Sequence, residues 1–331
     1  LKSYFFLSST SSSKPSLIEY LSYNLNFFSI LVGPCSHYKD YIDFIEGRHV
    51  QRRLRRLSGS NTGQNGFEKV PEPSPVAAVT RKLLICGVCM VLFLTLTKAF
   101  PVTYNVDSHF VNEAPFLTRL TYAFFSIQAA RPKFYFAWTL ADAINNAAGY
   151  GVKGVDETGQ VSWDLISNLS IWGIETATSF KKFIDNWNIQ TGVWLKTVCY
   201  DRAPCYPTAL TFILSALWHG VYPGYYFTFI TAIPITLAAR TLGYGRRTWA
   251  ANQLYICYTV MALPNAGSRK PTMQSMYFHI HIISILTVIV LSQSHKPRGS
   301  SSSNGTKPGP YHPHPQAQPE LQPSNNNVKR N

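Results

Sequence analysis

The sequence has little charge, and most of that charge is of one sign. Only 14% of the 331 residues are Asp, Glu, Lys or Arg, and the 30 basic residues outnumber the 16 acidic ones, giving a net charge of +14. A soluble domain usually carries about a quarter charged residues. The low charge therefore argues against an ordinary soluble protein. The mean hydropathy of the whole chain is nevertheless near zero, at −0.03, because polar stretches dilute the apolar ones.

Cysteine is scarce and follows no repeating pattern. Of the six cysteines, Cys86 and Cys89 have C-x-x-C spacing, but they lie inside an apolar stretch with no second pair to complete a zinc site. His312 and His314 lie in a Pro-rich tail, which is weak evidence for metal binding. We therefore expect neither a disulfide framework nor a bound metal.

Long apolar stretches are present instead. They cover residues 83–100, 116–130, 134–150, 207–239 and 273–293, with a weaker candidate at 249–263. Arg131-Pro132-Lys133 separates the second stretch from the third, and Tyr222-Pro223-Gly224 interrupts the fourth. A helix needs about 20 apolar residues to span a bilayer, and several stretches are shorter. We predict an all-α, polytopic transmembrane protein with broken or re-entrant helices around a chamber.

A basic segment precedes the first long apolar stretch. Its arginines are Arg48, Arg52, Arg53, Arg55 and Arg56. Beside apolar sequence, such a run favours anionic lipid at the cytosolic leaflet over nucleic acid. The excess of positive charge predicts that 46–82 is a cytosolic surface loop ending in Arg81 and Lys82.

Three regions follow from these patterns. Residues 1–15 are Ser-rich, lack the apolar core of a signal peptide and are expected to be disordered. Residues 16–293 are expected to form one membrane-embedded domain, beginning with a short span or an interfacial helix at 16–33. Residues 294–331 are rich in Ser, Pro and Asn and predict a disordered cytosolic tail.

His219 is the strongest candidate for chemistry. It lies within an apolar, aromatic stretch, between Trp218 and Gly220. An ionisable group at membrane depth is costly and usually faces a cavity or a partner. Desolvation would keep the imidazole neutral and able to act as a general base. The alternative is a core histidine that is hydrogen-bonded to a neighbouring helix.

Other candidates lie in the same window. Asn188, 31 residues before His219, could orient the base or stabilise an oxyanion, although a helix-capping role is the ordinary reading of an Asn after a Trp. The remaining candidates are the chamber-wall residues Trp218, Tyr222 and Tyr225, and the phosphate-binding cations Lys196 and Arg202. For these, helix packing and a positively charged membrane border are the respective alternatives.

Several sequence blocks resemble one known family. WNIQT contains Asn188 and SALWHGVYPGYYFTF contains His219, and both blocks resemble the membrane-bound O-acyltransferases, especially their lysophospholipid acyltransferase branch. Further similar blocks are YKDYIDFIEGR, FPVTYNV, PKFYFAWTLADAINNAAGYG and GIETATSFK. Two departures are expected: the family's membrane segments before Ser16 are absent, and 240–272 is shortened and altered.

The resemblance implies a function and a site. It implies a multi-pass enzyme of the endoplasmic reticulum membrane, with His219 and Asn188 in a chamber open to both faces. Acyl-CoA would be the co-substrate, with no cofactor. Lysophosphatidylethanolamine or lysophosphatidylcholine would be the acceptor, and oleoyl the preferred acyl group. The alternatives are another branch of the family that acylates a protein or a sterol, a transporter with a proton-relaying histidine, or an inactive truncated product.

Overall fold

The computed structural model describes residues 15–29, 36–55, 73–155, 160–221 and 223–241, with isolated positions at 282, 285, 286 and 289. These residues are mostly helical, as predicted. The helices are α1 (Leu17–Leu25), α2 (Tyr38–Ile45), α3 (His49–Arg55), α4 (Val76–Ala99), α5 (Ser108–Glu113), α6 (Phe116–Ala147), α7 (Ile171–Glu175), α8 (Phe180–Asn186), α9 (Ile189–Val198), α10 (Pro207–His219) and α11 (Pro223–Thr241), with short 3₁₀ turns at Phe27–Ser29, Val102–Val106 and Tyr200–Arg202.

The chain divides into two units, Leu1–Ser294 and His295–Asn331. All of these helices and turns lie in the first unit. Strands β1 (Gly154–Val155) and β2 (Val161–Ser162) form one small antiparallel hairpin in the same unit, in which Gly154 pairs with Ser162 and Val155 with Val161. The described residues do not include the candidate stretch at 249–263 or the expected tail at 294–331. They include only Pro15 of the expected disordered region 1–15 and four positions of the candidate stretch at 273–293.

Helices α4 and α6 form an antiparallel pair that organises the first unit. Contacts between them run in opposite sequence order: Lys82 Nζ donates to Asp142 Oδ2 at 2.6 Å, and Cys86 Sγ lies 3.7 Å from the Phe136 carbonyl oxygen. Residues of α6 and α4 form one apolar core with α7, α8 and α11, in which Ile174 and Ile235 are fully buried. The long pair therefore supports the shorter helices that carry the candidate site.

Helix α6 corrects the prediction of two separate stretches at 116–130 and 134–150. It is one helix of 32 residues with Pro132 inside it. Arg131 does not mark a membrane border, because its side chain is buried, lies 3.5 Å from Glu175 Oε2 and covers the Phe183 ring at 5.5 Å. The charge is compensated by protein contacts, so the helix continues through it.

Helix α4 corrects the predicted end of the basic loop. The helix begins at Val76, so Lys82 lies in its second turn and is buried rather than placed in a surface loop. The region also contains α3, and its arginines pair with acidic side chains of the preceding helix and turn. Arg52 pairs with Asp43, and Arg53 lies 2.7 Å from Asp40. Part of the charge expected to face lipid is therefore neutralised within the protein.

One stretch of the described residues, Val76–Val106, is long and apolar enough to cross a membrane. Its most apolar window has a mean hydropathy of 2.2, and only 11% of that window is buried. At 1.5 Å per residue, the 24 residues of α4 extend about 36 Å, which exceeds the roughly 30 Å hydrocarbon core of a bilayer. Exposed apolar side chains such as Leu84 and Val91 are typical of a lipid-facing helix.

Helix α1 lies within residues 16–33, for which the sequence predicts either a short membrane span or an interfacial helix. It has nine residues and begins with a capping box between Ser16 and Glu19. Nine residues are too few to span a bilayer. Leu17 and Ile18 are nevertheless strongly exposed, so of the two predicted alternatives the interfacial helix fits the described residues.

Candidate active site

His219 is the last residue of α10, at a break between two apolar helices. Helix α10 begins with Pro207 in its first turn and ends where Gly220 adopts φ +116° and ψ −164°. This conformation is essentially restricted to glycine, and Pro223, the first residue of α11, cannot continue the preceding helix. The predicted interruption of 207–239 is therefore confirmed. Tyr222 lies outside the described residues.

Aromatic rings surround the imidazole of His219. The Tyr225 and Phe229 rings lie 5.0 and 5.1 Å from it, each inclined by 25°, and the Trp218 ring lies edge-on at 4.6 Å. Tyr225 and Phe229 are four residues apart on α11 and so share one face of that helix. Two rings of α11 thus contact the histidine across the break and restrict its orientation.

Among the described residues, those around His219 leave one side of its ring open. Its side chain is exposed, while the stacked partners Tyr225 and Phe229 are half-buried. Trp218 is also 45% exposed. The physical reason is the position of His219 in the last turn, where the helix stops and no following turn covers the ring. An open edge of this kind is accessible to a substrate.

Asn188 occupies the position just before α9 in an unusual backbone conformation. Its φ of 52° and ψ of 49° lie in the left-handed region, which is uncommon for residues other than glycine and is most tolerated by Asn and Asp. Its side chain makes no capping hydrogen bond to α9. Asn188 is half-buried, and its amide is therefore not used in the capping role that is ordinary for Asn at this position.

A second asparagine caps α9 in its place. The Ile189 backbone N–H donates to the Asn168 carbonyl oxygen at 2.8 Å, and the Gln190 backbone N–H donates to Asn168 Oδ1 at 2.9 Å. The Gln190 side-chain amide donates to the carbonyl oxygen of Leu165 at 3.0 Å. An antiparallel bridge between Leu169 and Trp187 joins the same two segments. Residues 165–169 thus hold the first turn of α9 and the residues just before it in place.

The structure places Asn188 and His219 on neighbouring helices without joining them directly. Helices α9 and α10 are in contact, and the Trp194 ring of α9 lies 6.4 Å from the Trp218 ring of α10. Within the described part of the chain, no hydrogen bond links Asn188 to His219.

The two predicted phosphate-binding cations lie farther along the chain, Lys196 within α9 and Arg202 in the 3₁₀ turn that follows it. Lys196 Nζ lies 2.8 and 2.7 Å from the two carboxylate oxygens of Asp201, and its side chain is 65% exposed. Arg202 is exposed at the end of the 3₁₀ turn Tyr200–Arg202. An exposed ion pair is weak, so Lys196 can exchange Asp201 for another anion at little cost.

Sequence reasoning missed a buried polar network behind α9. Lys82 Nζ donates to Asp142 Oδ2, to Asn146 Oδ1 at 2.8 Å and to the Trp163 carbonyl oxygen at 3.0 Å. The Ser167 hydroxyl donates to the same Asp142 oxygen. The signal was present, because an acid and two asparagines inside an apolar helix are costly unless they have partners. Lys82, however, lies 60 residues from Asp142, and Ser167 lies 25 residues from it, so the sequence pattern does not show which groups are partners.

The described residues contain no group of three or more His, Cys, Asp or Glu side chains arranged to hold a metal ion. The candidate groups for action on a substrate are the His219 imidazole at the break, the Asn188 amide before α9, and the cations Lys196 and Arg202.

Comparison with known proteins identifies related sequences. The model of the membrane-bound O-acyltransferase family matches residues 6–262. Membrane-bound glycerophospholipid O-acyltransferase 1 of Mus musculus is 52% identical over 315 residues, which cover 89% of this chain and 63% of that protein. The corresponding O-acyltransferase 2 of Rattus norvegicus is 49% identical over 315 residues, covering 89% and 59%. Lysophospholipid acyltransferase 6 of Drosophila melanogaster is 39% identical over 301 residues, covering 84% and 41%. The chain spans about three-fifths of the length of the first two relatives.

Proposed function

Because the chain belongs to the membrane-bound O-acyltransferase family, we propose that it transfers a fatty acyl group from acyl-CoA to the free hydroxyl of a lysophospholipid. The names of the relatives refer to glycerophospholipids and lysophospholipids, which favours a lysolipid acceptor over a protein or a sterol. Lysophosphatidylethanolamine or lysophosphatidylcholine as acceptor, oleoyl as acyl group and a multi-pass location in the endoplasmic reticulum membrane are parts of the same proposal.

The observation that carries the proposal is the position of His219. An imidazole at the break between α10 and α11, stacked on Tyr225 and Phe229 and exposed on its other side, is oriented and accessible at once. A general base must reach the proton that it removes. The neighbouring aromatic and apolar side chains suit an acyl chain, so the reacting carbonyl and the hydroxyl can both approach the ring.

The proposed reaction proceeds without a covalent acyl-enzyme. The neutral imidazole of His219 takes the proton of the lysolipid hydroxyl as its oxygen attacks the thioester carbonyl carbon. The tetrahedral intermediate collapses, the carbon–sulfur bond breaks, and the imidazolium returns the proton to the sulfur of the leaving CoA. The products are the diacyl phospholipid and free CoA thiol, and the histidine is regenerated.

Asn188 is proposed to stabilise the transition state. Its side-chain amide makes no capping bond to α9, so its N–H groups are available to the carbonyl oxygen as negative charge develops there. Removing one such donor typically slows an acyl-transfer step by about 10²–10³-fold. Trp218, Tyr222 and Tyr225 would line the chamber, and Lys196 and Arg202 would meet the CoA phosphates through charge-assisted hydrogen bonds.

The test is acyl transfer by microsomes that contain the chain, using labelled acyl-CoA and separate panels of lysophospholipids, sterols and peptides. We expect transfer to lysophospholipids, and we expect His219→Ala to lower its rate by roughly 10²–10⁴-fold at equal expression. His109→Ala is the matched control, because the His109 side chain is 77% exposed and pairs with Glu113 of the same helix, α5, at 3.1 Å. Near-normal transfer by His219→Ala, or transfer only to sterols or peptides, would refute the proposal.

A further inference from the structure

The residue before α9, Asn188, has a strained backbone conformation, and the first turn of α9 is held by hydrogen bonds from outside the helix. We call the two hydrogen bonds that Asn168 accepts from Ile189 and Gln190 the clamp. Asn188 is one of two non-glycine residues with positive φ in the described part of the chain. Such conformations cost on the order of 1–3 kcal/mol and persist only where the surroundings enforce them. Asn188 does not stabilise its own conformation through a side-chain cap. Something else must hold the segment in place.

Asn168 supplies that restraint through two consecutive bonds. It accepts from the backbone N–H groups of Ile189 and Gln190, the first two residues of α9, through its carbonyl oxygen and its Oδ1 respectively. The first N–H groups of a helix have no partner within the helix, and the residue before the helix usually satisfies one of them. Here a residue 20 positions upstream of Asn188 performs this function, which leaves the Asn188 amide out of the cap.

Asn168 is itself held firmly. It is 3% exposed, and its neighbour Ser167 donates to Asp142, which forms the buried ion pair with Lys82. The Gln190 side chain closes the arrangement by donating to Leu165. The restraint therefore runs from α4 and α6 through the segment 165–168 to the first turn of α9. A clamp anchored to two long helices can fix the position of Asn188 better than a local turn can.

We propose that Asn168 is a positioning residue for acyl transfer, which pins the first turn of α9 so that the Asn188 amide is held free and correctly placed for the reacting carbonyl. This inference rests on the proposed function of Asn188. It assigns to Asn168 no contact with the substrate. Its Oδ1 acts on α9, and within the described residues its Nδ2 has no hydrogen-bond partner.

The chemistry of the side chain suggests the variants. Asn168→Asp keeps an acceptor oxygen at the same place, and a carboxylate is favoured at a helix N-terminus. Asn168→Ala removes the acceptor and leaves the Gln190 N–H unsatisfied. Asn105→Ala is the matched control. Asn105 is also buried, and its side chain donates hydrogen bonds to Ser126 Oγ and to the Val102 carbonyl oxygen. It lies after the C-terminal end of α4, whereas Lys82 lies near the N-terminal end of that helix.

The first measurement does not depend on activity. Amide hydrogen exchange of a peptide covering the first turn of α9 should become faster in Asn168→Ala, by roughly 3- to 30-fold for the loss of a helix cap. It should stay slow in Asn168→Asp and Asn105→Ala. Unchanged exchange in Asn168→Ala would overturn the clamp, whatever the chain catalyses.

The second measurement is the separation of kcat from KM in the microsomal assay. A displacement of about 1 Å in a reacting group can cost roughly 100-fold. We therefore expect kcat to fall about 10- to 100-fold in Asn168→Ala, with little change in KM for acyl-CoA, and to recover in Asn168→Asp. An unchanged kcat in Asn168→Ala, with His219→Ala inactive, would overturn the positioning role alone.

Two further outcomes have distinct meanings. Loss of kcat in Asn168→Asp with slow exchange retained would also overturn the proposal, because the function would then reside in Nδ2. If the unmodified chain transferred no acyl group to any lysophospholipid, the proposed function would fail, and with it the role of Asn168 in transfer. The exchange measurement would then still show whether Asn168 holds the first turn of α9.

Discussion

Replacing Lys82 by Met should destabilise the protein strongly, because it leaves a carboxylate buried without its cation. Lys82 and Asp142 are 4% and 6% exposed, and the Lys82 Nζ–Asp142 Oδ2 distance is 2.6 Å. Removing one member of a buried pair typically costs about 3–5 kcal/mol. After the change, Asp142 Oδ2 keeps, of its partners among the described residues, the Ser167 hydroxyl. We expect Lys82→Met to lower the free energy of unfolding by an amount in that range.

Removing the other partner should cost less. In Asp142→Asn, Lys82 Nζ retains Asn146 Oδ1, the Trp163 carbonyl oxygen and Asp164 Oδ1 at 3.4 Å. The Asp164 side chain is 45% exposed, so it gives only partial compensation. Losing one hydrogen bond to a charged group costs about 1.5–3 kcal/mol. The two single variants should therefore differ, with Lys82→Met the more damaging.

The assay is chemical denaturation of the purified protein in detergent micelles, with the free energy extrapolated to zero denaturant. The double variant Lys82→Met with Asp142→Leu should recover most of the stability, because replacing a whole buried ion pair by apolar residues is often nearly neutral. Lys98→Met is the control, as Lys98 is an exposed lysine on the same helix and should stay within about 0.5 kcal/mol. Equal effects of Lys82→Met and Lys98→Met would refute the reasoning, as would a double variant that is no more stable than Lys82→Met alone.

Two further predictions concern the break at His219. Gly220→Ala should cost about 1–3 kcal/mol through backbone strain, because the conformation is unfavourable for alanine, while an added Cβ would meet no atom of the described residues within 4 Å. It should also lower kcat by moving His219. A stable, fully active variant would contradict this prediction. Tyr225→Ala should lower kcat up to about tenfold, because it removes a stacking partner of His219 worth roughly 0.5–1.5 kcal/mol. Tyr225→Phe keeps the ring and should have a near-normal kcat in the same acyl-transfer assay. Equal losses of kcat in both variants would assign the effect to the hydroxyl instead.

The helices illustrate which predictions succeed from sequence. The interruption at 222–224 was correctly predicted, because glycine and proline act on the backbone locally, and α10 and α11 are separate. The break expected at Arg131-Pro132-Lys133 was wrong. There the charge of Arg131 is met by Glu175 and the ring of Phe183, which lie more than 40 residues along the chain. A local sequence pattern does not reveal the partners of a buried charge when those partners come from distant parts of the chain and are brought close only by packing.

The candidate site shows the same division. His219 and Asn188 were chosen from their motifs, and the structure places them on adjoining helices. The exposure of His219 was not predicted, since an apolar neighbourhood in sequence does not state whether a helix ends beneath the ring. Asn168 was also missed, because a single Asn in a polar connector carries no signal until its carbonyl and amide oxygens are seen to accept from α9.

The low charge and the long apolar stretches by themselves predicted that the described residues are mostly helical, and the motif around His219 indicated the family to which the chain belongs. These are local properties of side chains and of short segments. Tertiary structure alone decided that Lys82 is a buried partner of Asp142 rather than a border charge, that α6 is continuous, and that Asn168 caps α9 in place of Asn188. Each of these depends on groups far apart in sequence, whose burial is favourable only when packing brings their partners within hydrogen-bonding distance.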